Sequence, residues 1–177
     1  MNKPNYQSEV CQCCGQTTTY LLPIDTGTCD IVKAFAAAVK NKGINLIHPT
    51  RDMEVPHKEW SYERAIHAGV LTSTQIGNLT RARVHGLLAR VMGHPGYWCI
   101  TRKGINFLNG SRIPQFAIVS KSKANYRSHK EDYFKPDDYS ITIGEITKEH
   151  GNYWVGINFD IINNTVVVNT NNQSKLF

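Results

Sequence analysis

No apolar run in the 177-residue chain approaches the ~20 residues needed to cross a bilayer. The opening stretch, Met1 to Val10, lacks the apolar centre of a secretory signal. The expected location is therefore the cytoplasm, with no membrane partner. Motifs that carry chemistry are missing too. There is no phosphate-cradling glycine loop, no nucleophile elbow and no paired His-Glu metal motif. Asp132, Asp137 and Asp138 stand together, but acids in one charged stretch read as solvated charge rather than as a nuclease centre around a metal. His129 and His150 are isolated and read as surface histidines. No enzymatic activity is expected.

Acid is absent where base is plentiful. No Asp or Glu lies between Glu63 and Glu131. That stretch holds eleven basic residues: Arg64, Arg81, Arg83, Arg90, Arg102, Lys103, Arg112, Lys121, Lys123, Arg127 and Lys130. The segments on either side carry more acid than base, so a formal charge of +6 hides a strongly cationic middle. Such a block focuses positive potential and suits a polyanion. A merely solvated face mixes both signs.

Cysteine is scarce and oddly distributed. There are five, three of them in the run Cys11-Gln12-Cys13-Cys14. An odd, clustered set is a poor disulfide framework and reads as free thiols or as a metal site. Cys11-x-x-Cys14-Gly15 has the spacing and trailing glycine of a zinc knuckle. Two further ligands are needed, and Cys29 and Cys99 are the first candidates, with Cys13, His48 and His94 behind them. The metal set is thus Cys11, Cys14, Cys29 and Cys99, and the ion a structural zinc. The alternative is a small patch of free thiols.

Hydrophobic residues make up 41% of the chain, enough to bury a core and too many for wholesale disorder. Punctuation divides it into a cysteine-containing lobe over 1–27, a helix-rich domain over 28–110 and a β-rich extension over 111–177. Thr28 or Asp25 can cap a first helix carrying Ile31, Phe35, Ala38 and Val39, which Gly43 stops. Ile44–Ile47 is a short strand candidate, and a second helix covers about Lys58 to His67. Thr72-Ser73-Thr74-Gln75 is a capping box opening a short helix. A tight turn around Asn78 then leads to a longer helix, Thr80–Met92, with the apolar stripe Val84, Leu87, Leu88 and Val91. Gly93–Gly96 is a turn, Tyr97–Thr101 a strand and Lys103–Leu108 a short helix. Gln115–Ser120, Ser140–Ile146, Tyr153–Ile162 and Thr165–Asn169 are strand candidates, with a polar loop over Lys121–Asp138.

Two helices joined by a tight turn form a helix-turn-helix. With the strand and helix that follow, the order resembles the winged-helix superfamily over about 28 to 110. Ile76–Leu108 looks most like MarR-type bacterial regulators, whose last wing strand ends in a pattern like Y-x-L-T-x-x-G-x-x-F/L. Here it reads Trp98-Cys99-Ile100-Thr101-Arg102-Lys103-Gly104-Ile105-Asn106-Phe107. The resemblance implies an α+β fold, a winged helix-turn-helix core between the lobe and the extension, with a wing cut to four residues. It also implies a double-stranded DNA partner, a role in transcriptional regulation and homodimerisation across two half-sites.

In that arrangement Thr80–Met92 is the reading helix. Arg81 lies at its N-terminal end, with Arg83 and Arg90 on one flank and His85 on the other. Arg81 and Arg83 are nearest the bases, where a guanidinium can bond guanine bidentately. Thr80, His85, Arg90, Arg102, Lys103 and Arg112 support them, mostly through phosphate. The opposite face, Ala82, Gly86, Ala89 and Gly93, is smooth enough to approach a groove or to be covered by another element. The alternative function is a phage or mobile-element module that docks on a host protein complex. A third reading is RNA binding by Lys121–Lys130, with Tyr126 stacking on a base.

Overall fold

The computed structural model describes residues 7–53, 60–122, 125–129 and 139–149. The strand candidates Tyr153–Ile162 and Thr165–Asn169 lie outside them. Among the described residues the architecture is mixed α and β, with helices gathered on one central helix and three small antiparallel sheets at their margins.

The central helix is α1, Thr26–Lys42. Asp25 starts it by accepting from the Thr28 amide at 2.8 Å. Gly43, with φ 69°, ends it by returning its amide to Val39 O. Ile31, Val32, Ala34, Phe35, Ala38 and Val39 are all buried, so α1 is covered on most of its circumference. The helices α2 (Pro49–Asp52) and α3 (Tyr62–His67) follow. The expected strand at Ile44–Ile47 contracts to a single bridge, Ile47 to Trp98. Beside it the buried Asn45 side chain bonds both the amide and the carbonyl of Ile100, at 2.8 and 2.9 Å.

The capping box at Thr72 forms, and α4 runs Ser73–Gly77. Asn78 joins it to α5, Leu79–Val84. Here the sequence expectation fails: the helix does not continue to Met92. Gly86 takes φ 72°, its amide bonds Arg83 O and the Leu87 amide bonds Ala82 O, both at 2.9 Å. This pair of bonds is a Schellman stop. The chain then enters β2, Leu88–Arg90, antiparallel to β3, Trp98–Ile100. Leu88 and Ile100 join the main core, while Ala89, Val91 and Cys99 form a second cluster on the other face. An apolar run that short fits both helical and strand periods, and tertiary pairing decided it. The expected four-residue link between helix and strand is corrected by the same finding, since a paired hairpin spans 88–100.

Thr101 caps α6, Arg102–Leu108. Its hydroxyl donates to Gly86 O at 2.6 Å and accepts from the Gly104 amide at 3.0 Å. A Cβ at Gly104 would sit 2.3 Å from Leu87 O. The Thr-x-x-Gly pattern therefore fastens α6 to the end of α5.

In the last part, β1 (Thr19–Pro23) pairs with β5 (Phe116–Ser122), which pairs with β6 (Asn125–His129). Part of the expected polar loop is thus a strand. A short strand β4 (Ile113–Pro114) pairs with β7 (Ser140–Ile141). Ser140–Ile146 was expected as one strand, but it bends at Thr142 into α7, Ile143–Thr147, opened by a second capping box, Thr142 with Glu145. Among the described residues, no helix is long and apolar enough to cross a membrane.

Candidate functional site

The helix α5 and the hairpin β2–β3 carry two of the expected arginines near enough for the charge of one to act on the other. Arg83 leaves α5 half-buried and Arg90 leaves β2 exposed. Burial, and then the neighbouring Arg90 charge, hold the Arg83 guanidinium below its ordinary pKa. Arg90 lies over the ring of its cross-strand partner Trp98, 5.3 Å from the centroid. Among the described residues neither arginine forms an ion pair with a carboxylate.

Other expected contacts are placed differently. Arg81 pairs with Asp25 at 2.9 Å. Burial raises the Asp25 carboxyl, but the Thr28 hydroxyl and amide and the Arg81 charge outweigh it and leave the pKa below its usual value. So Arg81 braces the start of α1. His85 is 4% exposed, and its Nε2 finds no hydrogen-bond partner. Burial first, then the Lys103 charge, push its pKa down to about 4, so the imidazole is neutral. It is a core residue and not a surface contact. Ala82 and Ala89, placed on the smooth reading face by the sequence, are fully buried. Thr80 and Lys103 are half-buried, and Arg102 is exposed at the first turn of α6. Arg112 is exposed but engaged, donating to Ser140 Oγ and O at 2.9 and 2.7 Å and reaching Glu145 at 3.3 Å.

The structure adds residues that spacing did not suggest. The Ile47–Trp98 bridge lays His48 and Arg51 over the hairpin turn. Arg51 sits 5.0 Å from the Tyr97 ring centroid and bonds its hydroxyl. His48 and His94 meet the same ring edge-on, at 5.2 and 6.1 Å. Only long-range pairing assembles this group, and Arg51 falls outside the acid-free block that drew attention to the others.

The cysteine lobe is a small hairpin. Val10 pairs with Thr17, the Cys11 amide bonds Gln16 O at 2.8 Å and the Gly15 amide bonds Cys11 O at 2.9 Å. Cys11, Cys13 and Cys14 form a group able to hold a metal ion, with all three sulfurs within 4.8 Å of one another. The expected ligand set is corrected on this point. Cys29 and Cys99 are not in the group, and each is packed in an apolar cluster. Burial pushes both thiols up to about 12, the wrong direction for a thiolate ligand. The Cys11 thiol moves the other way, down to about 7, through the Cys13 thiol and then the Cys13 and Cys14 amides.

No family model, no curated protein and no solved structure matches the chain.

Proposed function

We propose that this chain is a nucleic-acid-binding protein of winged-helix type that docks on double-stranded DNA, as a transcriptional regulator does. The observation that carries the reading is that Arg83 on α5 and Arg90 on the hairpin lie near enough for one charge to act on the other, with no ion pair to a carboxylate among the described residues. The order of α4, α5, β2, β3 and α6, with Thr101 locking α6 to the helix end, supports a winged helix-turn-helix. The short α5 changes how such a module engages DNA. Six residues span about 9 Å at 1.5 Å each, so the hairpin supplies as much of the contact as the helix. Arg83, Arg90 and Arg102 then meet phosphate, and Arg81 positions α5 from behind. Within the same reading, the ion of the N-terminal hairpin is a zinc that stabilises it, the chain acts without catalysis, and it works in the cytoplasm as a homodimer.

The test is fluorescence anisotropy with a random duplex of about thirty base pairs, titrated across a salt series. Affinity should fall linearly in log–log form. Arg83→Ala and Arg90→Ala should each reduce the slope by about one. Absence of binding at low salt would overturn the proposal.

One observation favours the second reading, a module that docks on a host protein complex. Ala82 on α5 is buried and Ala89 lies in β2, so α5 lacks a long groove-sized face. Nuclease-resistant retention of one host complex, together with absence of duplex binding, would establish it.

A further inference from the structure

We infer that the turn Cys11–Gly15 is a three-thiolate site for a thiophilic cation, ligated by Cys11, Cys13 and Cys14 and open to solvent at its remaining position. The inference rests on reading the N-terminal hairpin as a metal site and changes what kind of site it is. The sequence pattern C-x-x-C points to a closed, four-ligand ion. The folded chain supplies a different set.

Three observations carry this. The first is distance. A metal–sulfur bond of about 2.3 Å puts two thiolates on one tetrahedral ion about 3.8 Å apart. The three sulfurs already lie within 4.8 Å of one another, and the Cys11 and Cys13 sulfurs, now 2.9 Å apart, must open by about 0.9 Å to share an ion.

The second is the frame. The turn is closed by backbone bonds from Cys11 to Gln16 and from Gly15 to Cys11, with Gly15 at φ 70°. Backbone therefore presents the thiols together before any ion arrives.

The third is the exposure of the thiols. Among the described residues no other His, Cys, Asp or Glu joins the group. Cys29 and Cys99, at 0% and 2% exposure, are held in apolar packing. Cys13 and Cys14 are exposed, so one side of the ion would face solvent.

Soft thiolate ligands select Zn(II) or Cu(I). The two differ at the open position. Zn(II) completes a tetrahedron with water, imidazole or a small thiol, whereas Cu(I) is satisfied by three sulfurs.

The experiment uses the full chain, reduced and stripped of metal. It is titrated with Co(II) as a coloured stand-in, then with Zn(II), and separately with Cu(I) without oxygen. One equivalent should bind. Cys11→Ser, Cys13→Ser and Cys14→Ser should each weaken binding more than about a hundredfold, since even outer-shell partners of a metal cost 10–100-fold. Alkylation read by mass spectrometry should show the ion protecting those three thiols, a readout that does not depend on how the variants fold. Imidazole should change the Co(II) spectrum in the zinc case. Cu(I) bound without any added ligand identifies the copper case. An ion whose affinity ignores Cys13→Ser, or is abolished by Cys99→Ala, would overturn the open three-thiolate site and leave the metal reading standing. No ion bound in either titration would overturn both. DNA binding is measured separately and is unaffected by either outcome.

Discussion

At Gly104 a single hydrogen atom stands where a methyl group would meet the Leu87 carbonyl at 2.3 Å. The contact is with backbone, so neither partner can swing aside. Gly104→Ala should lower stability by about 1–3 kcal/mol, the usual cost of overpacking, measured by urea unfolding. Asp25 does two jobs with one carboxylate, capping α1 through Thr28 and pairing with Arg81. Asp25→Ala should cost about 0.5–2 kcal/mol for the lost cap, and Arg81→Ala less, because that pair is partly exposed. Thermal melts of the two variants check the order. At this scale the sequence was partly legible. Asp25 and Gly43 announced the ends of α1, because caps are local chemistry. The fates of Arg81 and His85 were not legible, since Pro23 and Asp25, which interact with them, lie far away along the chain. Arg83 and Arg90 were identified as a flank, but their meeting depends on a hairpin that spacing alone did not reveal.

Among the elements, the stop at Gly86 decides most. Its φ of 72° is open to glycine and costly for other residues. Gly86→Ala should destabilise the chain by about 1–2 kcal/mol, and near-ultraviolet circular dichroism should report the disturbed Trp98 environment. The misread helix over 80–92 shows why such boundaries are hard. Val84, Leu87, Leu88 and Val91 fall on one helical face, yet Leu87 to Val91 is also a run short enough for a strand buried on both sides. Gly86 was the available signal, and it reads as a stop only when Leu87 is allowed to leave the helix. The capping box at Thr142 and Glu145 was equally available, being the motif that opens α4, but the β-branched run around it suggested strand. Of the four expected zinc ligands, Cys11 and Cys14 lie in the cluster, while Cys29 and Cys99 fall outside it for another reason. Cys29 sits on the buried side of α1, and thiol count says nothing of burial.

For the whole molecule, the neutral buried imidazole of His85 sets a pH dependence. Unfolded, the group takes a proton near its ordinary 6.5; folded, it resists until about 4. Between those values the unfolded chain binds more protons, so stability is full above pH 6.5 and is lost as pH falls toward 4. The loss should be about 3 kcal/mol, and urea unfolding of the natural chain and of His85→Leu across that window should show the slope only in the former. Charge is organised on the same scale, with a cationic middle between acidic flanks. The hairpin that offers Arg90 is also tied down. Ile47 exchanges two backbone bonds with Trp98, at 2.8 and 2.9 Å, and the Asn45 side chain exchanges two with Ile100. In mechanical terms β3 is anchored by four bonds loaded in parallel, directly behind the end of α1. A pull on the hairpin is shared among all four and passes into the body of the protein. The hairpin therefore behaves as a stiff bracket, and under the proposed function a polyanion seated on Arg83 and Arg90 would do the bending itself.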